Sequence, residues 1–344
     1  MERVRKMHKI LVATVREEFQ KEFWSPVVEK KLQTYGFELE ILMRGKLSLE
    51  ELPSDPAVEA VVTTWGSPRF TAAAFDKFPN LKFLGHCAGS VAGVVAPDFY
   101  EKGGRVFSAN YVMATAVAEW SLLMTLLHSR NFFKSSSVKQ GELMDWQEKF
   151  SMGNLRESVI GIWGFGDITR HLLKMLKPLN IGRILVSSKH ASAEEIEAYG
   201  AEKAPFEDLF KYADMVHCLV GVTPDTFHGI GAKELAALKE GAAIINGGRA
   251  GLLDEDALCA QLAAKRLFAY LDVYYEEPLP TDSQLYSMPN LVMTPHNAGF
   301  PGRKEFLPFL LDEFHRAWQG EKNLCEISAK RFETMTVEQL SKKN

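Results

Sequence analysis

Hydrophobic and polar positions fall into two successive series along the chain. In the first, Lys9–Thr14 is a short apolar strand, Pro26–Tyr35 has helical spacing ending near Gly36, and Phe37–Met43 alternates. Ala60–Thr64 reads as a strand, Thr71–Phe78 as a helix and Leu81–Gly85 as a strand. This β-α-β-α-β order predicts a parallel sheet, because parallel neighbours need a long crossover on the sheet face. Ala114–Ser129 is apolar nearly all round, the pattern of a buried helix at a domain or subunit junction. Arg130–Asn154 is polar and irregular but holds Phe132, Phe133 and Trp146. It fits an arm across a neighbouring subunit or a surface loop pinned by Trp146.

A second series begins at Ser158. Strands are expected at Ser158–Trp163, Arg183–Ser187, Met215–Val220, Ala242–Asn246, Leu267–Val273 and Leu291–Thr294. Helices are expected at Ile168–Leu176, Ala193–Tyr199, Ala232–Leu238 and Glu255–Ala264. Six strands in this order fit a doubly wound nucleotide-binding sheet. Glu277–Pro289 is a loop within the series, and a helix near Phe306–Trp318 packs back on the first domain. The expected fold is α/β, with two doubly wound, parallel-sheet, Rossmann-like domains. One is flavodoxin-like, from 1–109 plus 303–344, and carries the substrate side; the other, 110–302, is the dinucleotide-binding domain. Closure of the two lobes about their two chain crossings is expected to shield the reaction from water.

Composition narrows the classes. The 344 residues suit two domains of about 150. Lys+Arg 40 against Asp+Glu 44 gives −4, without the basic excess of a nucleic-acid binder. No uninterrupted apolar run reaches the roughly 18 residues of a membrane span, so no membrane partner is expected. Basic Met1–Lys9 leads into Ile10–Ala13, too short an apolar stretch for a secretion signal. Cys87, Cys218, Cys259 and Cys325 are scattered and match no metal-ligand spacing. They fit free thiols in a reducing cytoplasm, and no metal is expected.

The most informative local signal is Gly164-Phe165-Gly166-Asp167-Ile168, running from an apolar strand into a helix. Gly164 allows the tight turn, Gly166 allows close backbone approach, and the helix N-terminus offers N–H groups to a pyrophosphate. The next strand ends Ser187-Ser188-Lys189, where an NAD site places a carboxylate for the ribose. No acidic residue lies between Asp167 and Glu194, whereas Arg170, Lys174, Lys177, Arg183 and Lys189 do. Hydroxyl donors beside a cation suit a 2′-phosphate. The cofactor expected is therefore NADP(H), with NAD(H) also accepted.

Three later strands end in reactive groups: Gly247-Gly248-Arg249, then Asp272, then Pro295-His296-Asn297, with Glu277 five residues beyond Asp272. All belong to the ligand-binding edge of a parallel sheet. Carbonyl reduction needs a proton on oxygen as hydride reaches carbon. A histidine supplies it, a carboxylate orients the ring, and an arginine grips a substrate carboxylate.

These residues carry a resemblance. The chain resembles the D-isomer-specific 2-hydroxyacid dehydrogenases, a family that includes glyoxylate/hydroxypyruvate reductases and phosphoglycerate dehydrogenases. The likeness is densest from Asn154 to Gly299. It runs through Gly161–Ile168, Val222-Thr223-Pro224-Asp225-Thr226, Ile245–Glu255, Leu271–Leu279 and Thr294-Pro295-His296-Asn297-Ala298-Gly299. Weaker likeness reaches Ala88-Gly89 and Ala116–Glu119. The resemblance implies that Arg249 binds and polarises substrate, Glu277 supports the histidine and His296 is the acid/base. Together with the turn and strand-end readings above, it gives Gly164, Phe165, Gly166, Asp167, Ile168, Ser188, Lys189, Thr223, Pro224, Thr226, Gly247, Gly248, Arg249, Asp272, His296 and Gly299 as the expected cofactor site. Ala88 and Gly89, with Arg249 and His296, would meet a small 2-oxo or 2-hydroxy acid, and a homodimer would form around Ala114–Ser129. The chain departs from the family pattern at Thr169 (third glycine), Ser188 (NAD-selective Asp), Gly221 (proline) and Asp167 (often Arg).

Two other readings compete with a cytoplasmic 2-oxo acid reductase. One is a dinucleotide-binding sensor or corepressor, the other a formate- or phosphite-type dehydrogenase. Trp65, His86 and Tyr111 are candidates for the pocket wall of the first domain, where bulk would favour small acids such as glyoxylate or hydroxypyruvate.

Overall fold

The computed structural model describes residues 7–132, 153–300, 302–333 and 335–336. The chain divides into two compact units. One takes the chain up to Met113 and resumes at Phe300; the other is Ala114–Gly299.

In the first unit, β1 (His8–Thr14), β2 (Phe37–Met43), β3 (Val58–Thr63), β4 (Phe83–His86) and β5 (Arg105–Ser108) form one sheet. All pairs are parallel, in the order β2-β1-β3-β4-β5, which is flavodoxin-like. Every residue of β3 is buried, as expected for a strand covered on both faces. The helix Pro26–Tyr35 starts on a proline in its first turn and stops at Gly36, whose φ of 71° ends the helical run. The tail helix Arg303–Gln319 does pack on this unit, with Phe306, Leu310 and Phe314 fully buried beside Phe83 and Phe107.

Several elements of this unit differ from expectation, among them the short helices Phe19–Phe23 and Pro97–Glu101, which the sequence pattern lacks. The helix expected over Thr71–Phe78 is one turn, Ala74–Lys77. The N–H groups of Ala74, Phe75 and Asp76 bond three residues back, and Ala73 offers no capping side chain. β5 escapes the sequence pattern because Val106 and Phe107 stand alone between an arginine and a serine.

The second unit holds seven strands: β6 (Val159–Trp163), β7 (Arg183–Ser187), β8 (Glu202–Lys203), β9 (Met215–Cys218), β10 (Ala243–Asn246), β11 (Phe268–Leu271) and β12 (Leu291–Met293). Their order is β12-β11-β10-β9-β6-β7-β8, all parallel. The direction of winding reverses between β6 and β9, the switch point at which such sheets bind ligands. The sequence pattern yields only six of these strands, because β8 is a two-residue edge of exposed charges with no apolar signal. The helix Phe206–Tyr212 is also absent from that pattern.

The long helix is Asn110–Ser129, and Val117, Trp120 and Met124 pack with Ile160, Ile245 and Tyr270 of the sheet. Among the described residues this helix alone has the length and apolar content of a membrane span, despite its small and polar residues; half of that stretch is buried in the fold. Of the irregular segment expected at 130–154, residues 133–152 lie outside the described residues. All four cysteines are buried, and none forms a disulfide among the described residues.

Candidate active site

The glycine turn forms between β6 and the helix Asp167–Leu176. Gly164 has φ 106°, and a Cβ there would meet the Leu219 backbone at 2.9 Å. A Cβ on Gly166 would meet nothing within 4 Å, so the backbone faces open space. That cradle and the helix N-terminus fit a pyrophosphate. The departure at Thr169 has a physical explanation. Its buried hydroxyl donates to the Gly164 carbonyl at 3.0 Å and ties the helix to the turn. Phe165 turns its ring inward against Tyr199, leaving only its backbone for a ligand.

At the end of β7, Ser188 Oγ accepts from the N–H groups of His190 and Ala191 at 3.3 and 3.2 Å. Of the five cations noted in this stretch, Lys189 stands beside it. Arg183 lies at the opposite end of β7, paired with Glu202, while Arg170 and Lys174 lie over the rings of Phe165 and Tyr199. Lys189 forms an ion pair of 3.1 Å with Asp225. The interval from Asp167 to Glu194 lacks a carboxylate, but the fold brings one in from the turn after β9.

That turn is pinned by Thr226. The Thr226 hydroxyl donates to the Gly221 carbonyl at 2.7 Å and accepts from Thr223 N–H at 2.8 Å. Thr223 and Pro224 lie on this turn with Asp225, whereas Thr226 is buried and acts on the backbone. Gly247 and Gly248 are buried beyond β10, against Trp120 and the Cys218 carbonyl. Asn246 supports the Arg249 turn: its amide donates to the Arg249 carbonyl at 2.9 Å and accepts from Gly248 N–H at 3.1 Å. The Arg249 guanidinium donates to the Gly248 carbonyl at 2.7 Å.

Strand register aligns Asn246 with Leu271 and Leu271 with Met293, so Arg249, Asp272 and His296 follow neighbouring strand ends on one edge. His296 and Glu277 are in direct contact. Nδ1–H of the ring donates to Oε2 at 2.7 Å, with both side chains partly exposed. Glu277 Oε1 accepts from Tyr274 N–H at 3.0 Å, so the carboxylate is itself oriented. His296 has φ 48°, a left-handed conformation rare outside glycine. Such outliers persist where the surroundings fix them.

Here the fixing group is Asp272, only 1% exposed. Its carboxylate accepts from Thr294 Oγ1 at 2.5 Å and from the N–H groups of Asn297 and Ala298 at 3.0 Å. Trp120 Nε1–H donates to Thr294 Oγ1 at 3.1 Å and extends the brace into the long helix. Gly299 follows this braced segment, half-buried. Sequence reasoning gives no role to Trp120, Thr294, Asn246 or Asp225. The last three nonetheless lie inside the stretches that carry the family resemblance, whereas Trp120 lies outside them.

In the first unit, the Ala88 and Gly89 carbonyls accept from Ser108 Oγ at 2.8 and 2.6 Å. His86, a candidate wall residue, is instead buried at 2% exposure and bonded to Thr63 Oγ1 at 2.9 Å. Burial pushes its pKa down to about 3. Trp65 is half-buried between the guanidinium groups of Arg16 and Arg303, and Tyr111 stacks on Phe309. Among the described residues, no three His, Cys, Asp or Glu side chains gather as metal ligands.

Comparison with known proteins gives this geometry a relationship. Residues 122–298 match the family model described as D-isomer specific 2-hydroxyacid dehydrogenase, NAD binding domain. A glyoxylate reductase of Thermococcus gammatolerans is 30% identical over 259 residues, covering 72% of this chain and 77% of the relative. A D-3-phosphoglycerate dehydrogenase of Methanocaldococcus jannaschii is 31% identical over 261 residues, which are 75% of this chain and 49% of the relative. The chain therefore spans about half the length of that enzyme. A solved structure from Xanthobacter autotrophicus Py2, a D-isomer specific 2-hydroxyacid dehydrogenase in complex with NADPH and MES, has the same fold. Its TM-score is 0.75 at 23% identity, covering 94% of this chain and 99% of that one. With more than half its length matched by the model, and a 30% identical relative aligned along most of both chains, this chain belongs to the D-isomer specific 2-hydroxyacid dehydrogenase family.

Proposed function

We propose that this protein reduces small 2-oxo acids to D-2-hydroxy acids, preferring NADP(H) and also accepting NAD(H). The observation that carries the reading is the His296–Glu277 contact of 2.7 Å on the ligand-binding edge of the sheet that bears the glycine turn. A bound dihydronicotinamide supplies the hydride. The chain's own residues handle the proton and the carboxylate.

Glu277 engages Nδ1–H, which leaves Nε2 of His296 to deliver a proton to the substrate oxygen. The planar guanidinium of Arg249 binds the substrate carboxylate through two hydrogen bonds and polarises the adjoining carbonyl. The backbone from Gly164 to Ile168 holds the pyrophosphate, and Ser188 with Lys189 holds a 2′-phosphate. Thr223, Pro224, Gly247, Gly248 and Gly299 shape the backbone wall of the cofactor site. Thr226 and Asp272 keep that wall in place. The relative named glyoxylate reductase supports a small substrate.

The test follows nicotinamide absorbance with NADPH and NADH in parallel, against glyoxylate, hydroxypyruvate and longer 2-oxo acids. Fast loss with NADPH on the small acids is expected. Tight dinucleotide binding without turnover on any 2-oxo acid would contradict the reading. Leu123 is half exposed on the apolar helix Asn110–Ser129, which supports a homodimer through that face. Sedimentation at micromolar concentration is expected to give twice the chain mass.

A further inference from the structure

We infer that Asp225 is a specificity-determining residue of the dinucleotide site, setting how strongly NADPH is favoured over NADH. The inference rests on the proposed dinucleotide reading and adds a residue that the strand-end argument leaves out. Lys189 follows β7 and Asp225 follows β9, and β6 with its glycine turn lies between them in the sheet. Strands two places apart are separated by about 10 Å. The Lys189–Asp225 ion pair of 3.1 Å therefore bridges the switch-point edge above the turn.

Both ends are held by backbone. Ser188 Oγ accepts from two N–H groups of its own loop, and Lys203 Nζ donates to the Ala191 carbonyl at 2.7 Å. On the other side, the Thr223–Thr226 bonds fix the backbone that carries Asp225. The two charged side chains remain largely exposed, at 70% and 75%, so an incoming charge can re-pair them.

The two cofactors meet this pair differently. A 2′-phosphate competes with Asp225 for Lys189 and is repelled by the carboxylate that remains. A 2′-hydroxyl has no charge to repel and donates a hydrogen bond to Asp225. The carboxylate that an NAD site draws from the strand end thus comes here from a different loop. It tempers the preference that Ser188 and Lys189 create.

Calorimetric titration of the purified protein with NADPH and with NADH reads the ratio of the two dissociation constants directly, without turnover. Asp225→Asn keeps the shape and removes the charge. It should shift the ratio toward NADPH by about fivefold, the factor one exposed charge carries at about 4 Å in water. Lys189→Ala should shift it the other way, toward unity. A ratio unchanged within twofold in Asp225→Asn overturns the inference while leaving the dinucleotide reading standing. Failure of the unaltered protein to bind either dinucleotide overturns both.

Discussion

His296 lies in a backbone region that a residue with a Cβ rarely enters, and the residues around it show why it stays there. Asp272 takes two N–H groups from the segment just beyond the histidine, and Glu277 takes its ring N–H. Orientation is fixed before a substrate arrives, the condition under which an acid contributes most. Glu277→Gln tests the charge in this pair separately from its geometry, since a glutamine oxygen still accepts from Nδ1–H. The expected result is a fall in kcat of about 10²-fold, near the low end of what a positioned acid supplies, with KM little changed. A variant with unchanged kcat would show that the carboxylate charge has no part in proton delivery. Arg249, Asp272 and His296 stood out as candidates in the sequence because each follows an apolar strand end, and Glu277 because it lies five residues beyond Asp272. The brace that joins Asp272 to Thr294 and Trp120 was not legible, because the three come from separated places and only folding joins them.

At the scale of elements, the turn-and-helix unit shows how a departure from a motif is accommodated. A third glycine would allow close helix–strand packing, but Thr169 packs there with a hydrogen bond to Gly164 and has no exposed surface. Thr169→Gly restores the glycine pattern yet is expected to destabilise the fold by about 1–2 kcal/mol. It removes a buried hydrogen bond and adds backbone freedom to a helix. Denaturant midpoints of the two proteins decide the matter; a midpoint that rises would contradict this account. The strands that sequence missed share one property. β5 and β8 are short, and their pairing is set by neighbours rather than by an apolar run of their own. The helix over Thr71–Phe78 failed for the opposite reason: its composition suits a helix, but tighter turn bonds compete with it.

At the scale of the whole molecule, buried histidines couple both units to pH. Burial pushes His86 in the first unit down to about 3, and His217 and His128 in the second down to about 3 and about 4. An unfolded histidine titrates near 6.5. Below that value the unfolded chain takes up protons that the folded chain refuses, so stability is full at neutral pH and is lost as pH falls. Each histidine contributes up to about 1.4 kcal/mol per pH unit between about 6 and 4. Denaturant midpoints at pH 7 and pH 5 should therefore differ, with the acid value lower. Equal midpoints would mean that these rings are hydrated in solution. The parallel pairing of both sheets could be anticipated from the β-α-β rhythm, although β5 and β8 could not, and neither could the Lys189–Asp225 pairing, since 36 positions separate the two residues.

The central claim is that His296 delivers the proton in reduction of a 2-oxo acid. The most direct test mixes NADPH-loaded protein rapidly with glyoxylate and follows one turnover by nicotinamide absorbance, for the unaltered chain and for His296→Ala. The variant is expected to bind NADPH and to transfer hydride about 10²- to 10⁴-fold more slowly. Equal single-turnover rates would place the proton donor elsewhere and contradict it.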